Sequence, residues 1–361
     1  MMRNNVFKIG ITHGDYNGVG YEVLLRTLSD ERMLEHFIPV VYGVQEILEY
    51  YENLLSIDLP VKMRVVGNAG EATPGTLNLV SLSTNGAVPE VTPGVPTQAA
   101  GALAVLALQR AREDVMAGRI DAVVTAPINK DMARSRDFEY PGHTEYFAAP
   151  FPDARPLMLF RMAGLPVVGL VTTHLPLRMV PETITEELLE DYLLRLERAL
   201  SVDFCIQKPR IAVVGLNPHA GENGLLGREE ERVIAPVIQR LFENGMLVFG
   251  PYASDGLWGS GAYRRFDAIV SMYHDQGLIP FKLLGMSGGV NVTSGLPIPR
   301  TSPDHGTAYD IAGKGIADPA SFRASIFEAI DILRNRALHA ELTSNPLVDR
   351  YTSGREERGR N

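Results

Sequence analysis

The sequence predicts an α/β protein with mainly parallel strands, and three observations carry that reading. Short apolar runs rich in Val, Ile and Leu recur along the chain, each stopped by Gly, Pro, Asn or His. Between them lie longer segments with helical periodicity, so strand and helix alternate throughout. At 361 residues, 45% of them apolar and 21% charged, the chain has room for two domains or one large unit with a sizeable core.

Taken in order, Phe7–Ile11 reads as a buried strand, His13 to Gly20 as the turn after it, and Glu22–Leu28 as a helix. The glycine spacing in that turn, GxxxGxG, matches neither the dinucleotide GxGxxG nor the P-loop. A tight strand–helix turn and an anion site at the helix start both remain open. Val40–Tyr42, Gln45–Tyr51 and Lys62–Val66 continue the alternation, and 67–96 loops out around a short strand at Leu77–Leu82. Thr97 is placed to cap a helix over Gln98 to about Met116. Asp121–Thr125 is a strand that stops at Ala126-Pro127-Ile128-Asn129-Lys130, and Tyr140–Phe147 is a turn opening a helix. Leu157–Arg161 and Val167–Thr172 pair around a turn at Gly164. Thr183 and Glu186 match a capping box before an amphipathic helix to about Leu200. Arg210–Gly215 and Leu247–Tyr252 are strands flanking a helix, Glu229–Asn244, interrupted at Pro236. The strand Ala268–Met272 breaks into a polar stretch, and Phe322, Ile326, Ala329, Ile330, Leu333 and Ala337 form a helical stripe before a mobile, Arg-rich tail.

A net charge of −9 argues against nucleic acid as a partner, and any anionic ligand needs a local basic cluster. The single cysteine, Cys205, excludes a disulfide framework and CxxC metal sites; it reads as a small apolar residue beside a strand. The first residues lack the apolar stretch of a secretory leader, and no apolar run approaches the ~18 residues of a membrane span. A cytoplasmic protein with no membrane partner is expected.

Ligands in such folds sit beyond the carboxyl ends of the strands. Three of the eight histidines follow strands directly: His174, His219 and His274, separated by 45 and 55 residues. Three parallel strands in one sheet would bring the imidazoles to one edge, as a divalent-metal site of the catalytic kind. Asp275 and Asp255 are candidates to orient a ligand or take a proton. His13, His36 and His339 read as solvated or locally bonded side chains, and His305 is left open. Lys282, Asn291 and Arg300, with His143 and Thr144, could form the basic cluster that a phosphate needs.

Seven segments then match a known family: TAPINK (Thr125–Lys130), YPGHTEYFA (Tyr140–Ala148), TTHLPLR (Thr172–Arg178), GLNPHAGENGLLGREE (Gly215–Glu230), GPYASDGLW (Gly250–Trp258), MYHDQGLIPFK (Met272–Lys282) and the run Gly289–Ala317. In order and in content they resemble the 4-hydroxythreonine-4-phosphate dehydrogenase (PdxA) family of pyridoxal phosphate biosynthesis. The resemblance implies two α/β/α domains with a cleft between them, like isocitrate and isopropylmalate dehydrogenases. Approximate boundaries are 1–128 plus 285–350 for the first domain, 129–284 for the second, and a tail at 351–361. It implies a homodimer with the active site at the subunit interface. The family's metal-binding histidines fall on His174, His219 and His274, supplied by both subunits, and its substrate contacts on His143, Thr144, Lys282, Asn291 and Arg300. The start departs from the family's usual TPGDPAGIGPE: His13, Tyr16 and Tyr21 stand where it has proline. Gly14, Gly18, Gly20, Asp15 and Glu22 are kept, so the turn is expected to survive.

The expected reaction is oxidation of 4-phosphooxy-L-threonine by NAD or NADP with a divalent metal (Zn, Mg or Co), followed by decarboxylation to 3-amino-2-oxopropyl phosphate. Asp275 is the candidate base. The same chemistry on a phosphorylated aldonate such as 4-phosphothreonate or erythronate, a metal-dependent phosphohydrolase, and a non-catalytic phospholigand binder are the alternatives.

Overall fold

Twelve short strands rich in β-branched residues form one sheet in the computed structural model, which describes residues 6–82, 89–134, 138–285 and 288–345. In the first half lie β1 (Phe7–Thr12), β2 (Phe37–Gly43), β3 (Met63–Val66), β4 (Leu77–Ser81) and β5 (Ala122–Thr125). Next come β6 (Leu157–Arg161), β7 (Val167–Leu170), β8 (Ile211–Val214), β9 (Val248–Tyr252), β10 (Ala268–Ser271), β11 (Val290–Ser294) and β12 (Arg300–Pro303). The strand order is β3-β4-β2-β1-β5-β12-β11-β6-β7-β10-β8-β9. Three pairings, β12 with β11, β11 with β6 and β6 with β7, are antiparallel, and the others are parallel. The alternation of strand and helix read from the sequence therefore gives an α/β protein. The tail lies outside the described residues.

Strands covered on both faces read as unbroken apolar runs because neither face meets water. Every residue of β2 and of β5 is buried. Helices from both sides complete two cores. One holds Ile9, Val40, Val124, Leu108 and Ile326; the other holds Leu159, Val213, Val270, Leu193 and Leu196. The last helix, Ala320–Thr343, gives Phe322, Ile326, Ala329 and Ile330 to the first core and Ile332 to the second. Arg336 on that helix reaches Asp203, whose buried carboxylate also accepts from Ser294 Oγ. Among the described residues no helix is long and apolar enough to cross a membrane.

Local chemistry explains where elements begin. Thr97 caps the helix Gln98–Met116 as expected, its hydroxyl accepting from Ala100 N. The helix Glu186–Val202, by contrast, is capped by Thr185 and not by Thr183. Thr183 closes a short helix of its own, Val180–Thr183, and its hydroxyl donates to Met179 O. Pro236 can donate no backbone hydrogen bond, and the turn Glu230–Ile234 ahead of it widens to π geometry before the helix Ala235–Glu243. Cys205 is exposed in a turn with φ of 56°, not packed beside a strand.

The altered first turn survives, with its new aromatics built into the core. His13 stacks on Tyr21 with ring centroids 5.1 Å apart, and Tyr21 stacks on Tyr51 at 5.7 Å. Tyr21 Oη accepts from Val44 N, and Tyr51 donates to Tyr16 O. Gly14 has φ of +73°, and a Cβ there would meet Pro127 O at 2.3 Å, so only glycine fits. Inside the turn the Asp15 carboxylate accepts from Asn17 N and Tyr309 Oη. His13, expected to be solvated or locally bonded, is instead fully buried with neither ring nitrogen hydrogen-bonded.

Burial holds the His13 pKa down to about 4, against 6.5 for the free side chain. Above pH 6.5 both folded and unfolded chains carry it neutral. As pH falls from 6.5 to 4 only the unfolded chain gains the proton, so stability is lost at about 1.4 kcal/mol per pH unit. Urea midpoints at pH 7 and pH 5 are therefore expected to differ less in His13→Phe than in the wild type. An equal difference would remove His13 as the cause.

Candidate active site

Arg300 opens β12, where that strand lies between β5 and β11, and its side chain is buried. Its guanidinium donates to Thr125 Oγ1 (2.6 Å), Thr293 Oγ1 (3.4 Å) and His143 Nδ1 (2.9 Å). All three acceptors are neutral. Among the described residues no carboxylate forms an ion pair with Arg300; burial draws its pKa down to about 9, opposed only by the more distant charge of Glu145. A buried guanidinium without an ion-pair partner favours an anion at this spot.

The same cavity, about 400 Å³, gathers the other expected contacts. His143 is partly buried, and desolvation reinforced by Arg300 and Lys130 keeps its pKa well below the ordinary value. Since Nδ1 accepts from Arg300, the proton of the neutral ring sits on Nε2, which is buried with no partner in the protein. Thr144 Oγ1 bonds Thr293 Oγ1 at 3.0 Å, and Asn291 Oδ1 is another buried atom without a partner. Lys282 Nζ lies 3.6 Å from Asp304 Oδ1, whose pKa is raised by burial against the pull of Lys282. Thr125, Lys130, Glu145, Asp304 and His305 also line the cavity, although the sequence alone gave them no role. For Thr125 and Lys130 the signal was present, since they close the strand-end segment TAPINK.

β7, β10 and β8 are adjacent and parallel, so the segments carrying His174, His274 and His219 leave one edge of the sheet. Two of the imidazoles meet on the cavity wall: the rings of His174 and His274 lie 6.1 Å apart. Burial, Lys130 and His274 lower the pKa of His174, which keeps the ring neutral and free to donate a lone pair. His274 Nδ1 lies 2.7 Å from Asp275 Oδ1, leaving Nε2 as the free donor atom. Asp275 itself is exposed, and Asp255 is exposed on the helix Ser254–Gly259.

His219 does not join them. Residues 219–224 all have positive φ, between 45° and 85°. That left-handed turn carries His219 into solvent. Four of the six are not glycine, and each costs about 1–2 kcal/mol in this conformation. Among the described residues no group of three His, Cys, Asp or Glu could hold a metal within one chain. A pair of imidazoles facing an open cavity fits part of a divalent-metal site, with room for a third ligand from elsewhere.

A second groove of about 630 Å³ runs past Phe151, Arg195 and Ser294. Its arginines Arg155 and Arg195 are paired with Asp191, and Arg336 with Asp203. It holds none of the candidate residues.

Comparison with known proteins gives a consistent result. The sequence pattern of the family described as pyridoxal phosphate biosynthetic protein PdxA matches residues 35–329. A 4-hydroxythreonine-4-phosphate dehydrogenase of Bacteroides thetaiotaomicron is 47% identical over 99% of this chain and 97% of its own. The crystal structure of the enzyme of that name from Klebsiella pneumoniae is similar with a TM-score of 0.76, at 35% identity, covering 91% of this chain and 98% of the other. A terephthalate 1,2-cis-dihydrodiol dehydrogenase from Burkholderia xenovorans is more distant: TM-score 0.59 and 26% identity, covering 91% of this chain and 98% of its own.

The uncompensated charge of Arg300 has a measurable consequence. Inorganic phosphate is expected to raise the thermal midpoint, by about 1.4 kcal/mol of stability at ten times its Kd. Arg300→Met should lose that response at matched ionic strength while being at least as stable without phosphate. A variant that still responds would move the anion elsewhere.

Proposed function

The chain belongs to the PdxA family, and from that premise we propose that it is a 4-hydroxythreonine-4-phosphate dehydrogenase acting in pyridoxal phosphate biosynthesis. The substrate would be 4-phosphooxy-L-threonine and the acceptor NAD⁺ or NADP⁺. The product, 2-amino-3-oxo-4-phosphooxybutanoate, is a β-keto acid that loses CO₂ to give 3-amino-2-oxopropyl phosphate. One observation carries this reading: a buried arginine hydrogen-bonded only to neutral partners opens onto the cavity where the imidazoles of His174 and His274 face each other.

The chain's own groups divide the work. Arg300 and the Nε2–H of His143 receive the phosphate, with Thr144 beside them, in a pocket that favours the dianion because its cation is otherwise unpaired. Lys282 and Asn291 reach the remainder of the substrate. His174 and His274, with His219 of a second copy, would hold the divalent ion, and imidazole donors suit Zn²⁺ or Co²⁺ better than Mg²⁺. When bound, that ion supplies Lewis acidity at the substrate hydroxyl and at the carbonyl that replaces it. The nicotinamide supplies the hydride acceptor, and the protein fixes the geometry. Asp275 orients His274 through Nδ1, and we assign the hydroxyl proton to the Lys282–Asp304 pair on the cavity wall. We place the domain division where the two cores part, near residues 155 and 295 and not near 128 and 285, and the cavity takes its lining from both sides of it.

A dimer is supported by what the three strand-end segments expose. Leu175 and Leu177 follow β7, Leu225 and Leu226 follow β8, and Ile279 and Leu283 lie on the helix after β10. Leu225 is 78% exposed and Leu283 77%, and an apolar surface of this kind is ordinarily covered by a partner.

The reaction is tested by following reduced cofactor with 4-phosphooxy-L-threonine, Co²⁺ or Zn²⁺ and either nicotinamide; no reduction with both would remove the assignment. Relative turnover on 4-phosphoerythronate separates the aldonate reading, and phosphate release without nicotinamide would identify a hydrolase. If each site takes His174 and His274 from one chain and His219 from the other, inactive His219→Ala and His274→Ala chains complement each other. Co-refolded in equal amounts they are expected to recover about a quarter of wild-type activity, because half the dimers are mixed and each has one intact site. No recovery would place all three histidines otherwise.

A further inference from the structure

The segment Gly215–Glu230 is built around one buried carboxylate. Glu230 lies in the first turn of its helix and is 3% exposed. Its Oε1 accepts from Asn217 N (2.7 Å) and its Oε2 from Asn217 Nδ2 (3.0 Å). The neighbouring Glu229 accepts from the same amide at 2.7 Å. Glycines make room for this arrangement: a Cβ on Gly215 would sit 2.9 Å from Glu230 Oε1, and one on Gly221 2.7 Å from Oε2. Asn217 immediately precedes the Pro218-His219 step, so Glu230 fixes the root of the left-handed turn that presents His219.

A second side chain ties that root to the other histidine segment. Gln276 stands two residues after His274, and its Oε1 accepts from Met272 N at 2.7 Å. Its Nε2 donates to Gly215 O at 2.7 Å. One amide thus joins the exit of β10, which leads to His274, to the exit of β8, which leads to His219.

We propose that Glu230 and Gln276 are positioning residues for the metal site, setting where His219 is presented to the partner copy relative to His274. This rests on the proposed metal reading above. Neither group touches substrate or metal; both act by holding the backbone that carries a ligand. The logic is that of outer-shell groups, whose loss weakens metal binding ten- to a hundredfold. Here the outer shell acts through main chain and not through the imidazole ring.

The test uses the full-length protein freed of metal and titrated with Co²⁺, whose visible absorption reports the number of nitrogen ligands and their geometry. Wild type, His219→Ala, Glu230→Ala, Glu230→Gln and Gln276→Met are compared, with sedimentation and circular dichroism confirming assembly and fold. Glu230→Ala and Gln276→Met are expected to bind Co²⁺ about ten- to a hundredfold more weakly with an altered spectrum. Glu230→Gln, which keeps an acceptor for Asn217 N, is expected to recover most of that affinity. Wild-type affinity and spectrum in both Glu230→Ala and Gln276→Met would overturn the assignment while leaving the metal reading intact. A wild type whose Co²⁺ uptake is unchanged in His219→Ala would remove the metal reading, and this assignment with it. If Glu230→Ala does not fold, Gln276→Met decides, since it removes only the bonds between the two strand exits.

Discussion

A guanidinium buried without an ion-pair partner is the constraint around which the seam of this molecule is arranged. Arg300 can be held there only if its N–H groups find acceptors, because an unbonded buried cation would cost more than the fold can spare. Two of the acceptors come from distant parts of the chain, Thr125 at the end of β5 and His143 at a helix start, and the third, Thr293, from the neighbouring strand β11. Bringing them together requires β12 to insert between β5 and β11, which is where the parallel order of the sheet gives way to antiparallel pairing. The break in strand direction and the anion pocket are therefore one feature. Neutral acceptors satisfy the hydrogen bonds and leave the charge for a ligand.

The same economy governs the histidines around it. His143 stays neutral because it is desolvated beside Arg300, so one nitrogen accepts and the other is left as a donor facing the cavity. His174 stays neutral through burial and Lys130. Burial, reinforced by cations in the wall, thus keeps His143 and His174 unprotonated, as the proposed phosphate recognition and metal ligation would require.

Much of this was legible in the sequence because it depends on local pattern. Apolar runs gave the strands, and the polar groups that stop them gave the site, so His143, Thr144, His174, His274, Lys282, Asn291 and Arg300 line one cavity. What escaped depends on backbone handedness and tertiary packing. Nothing in Pro218-His219-Ala220-Gly221-Glu222-Asn223 announces that non-glycine residues adopt a left-handed turn, and the carboxylate that anchors its root at Asn217, Glu230, lies thirteen positions further on. The cap fell on Thr185 because Thr183 had a nearer partner in Met179 O. His13 reads as a solvated or locally bonded side chain because its stacking partner Tyr21 lies eight positions further on, directly after Gly20. Asp304 meets Lys282 only across the cavity, a separation no sequence spacing encodes.

The path of the chain through the sheet has a consequence for how the protein is made. The first core is begun by β1 and β2 but is completed only by β12 and by Phe322 and Ile326 of the last helix. During synthesis at about 5–20 residues per second, the interval between these parts, about 300 residues, lasts about 15–60 seconds. For that time the apolar faces of β1 and β2 wait for partners not yet synthesised. The second core is mostly contiguous and can close first, so the later half of the chain is expected to serve as the platform on which the earlier half is finished. The delay before the N-terminal strands are covered is thus set by topology.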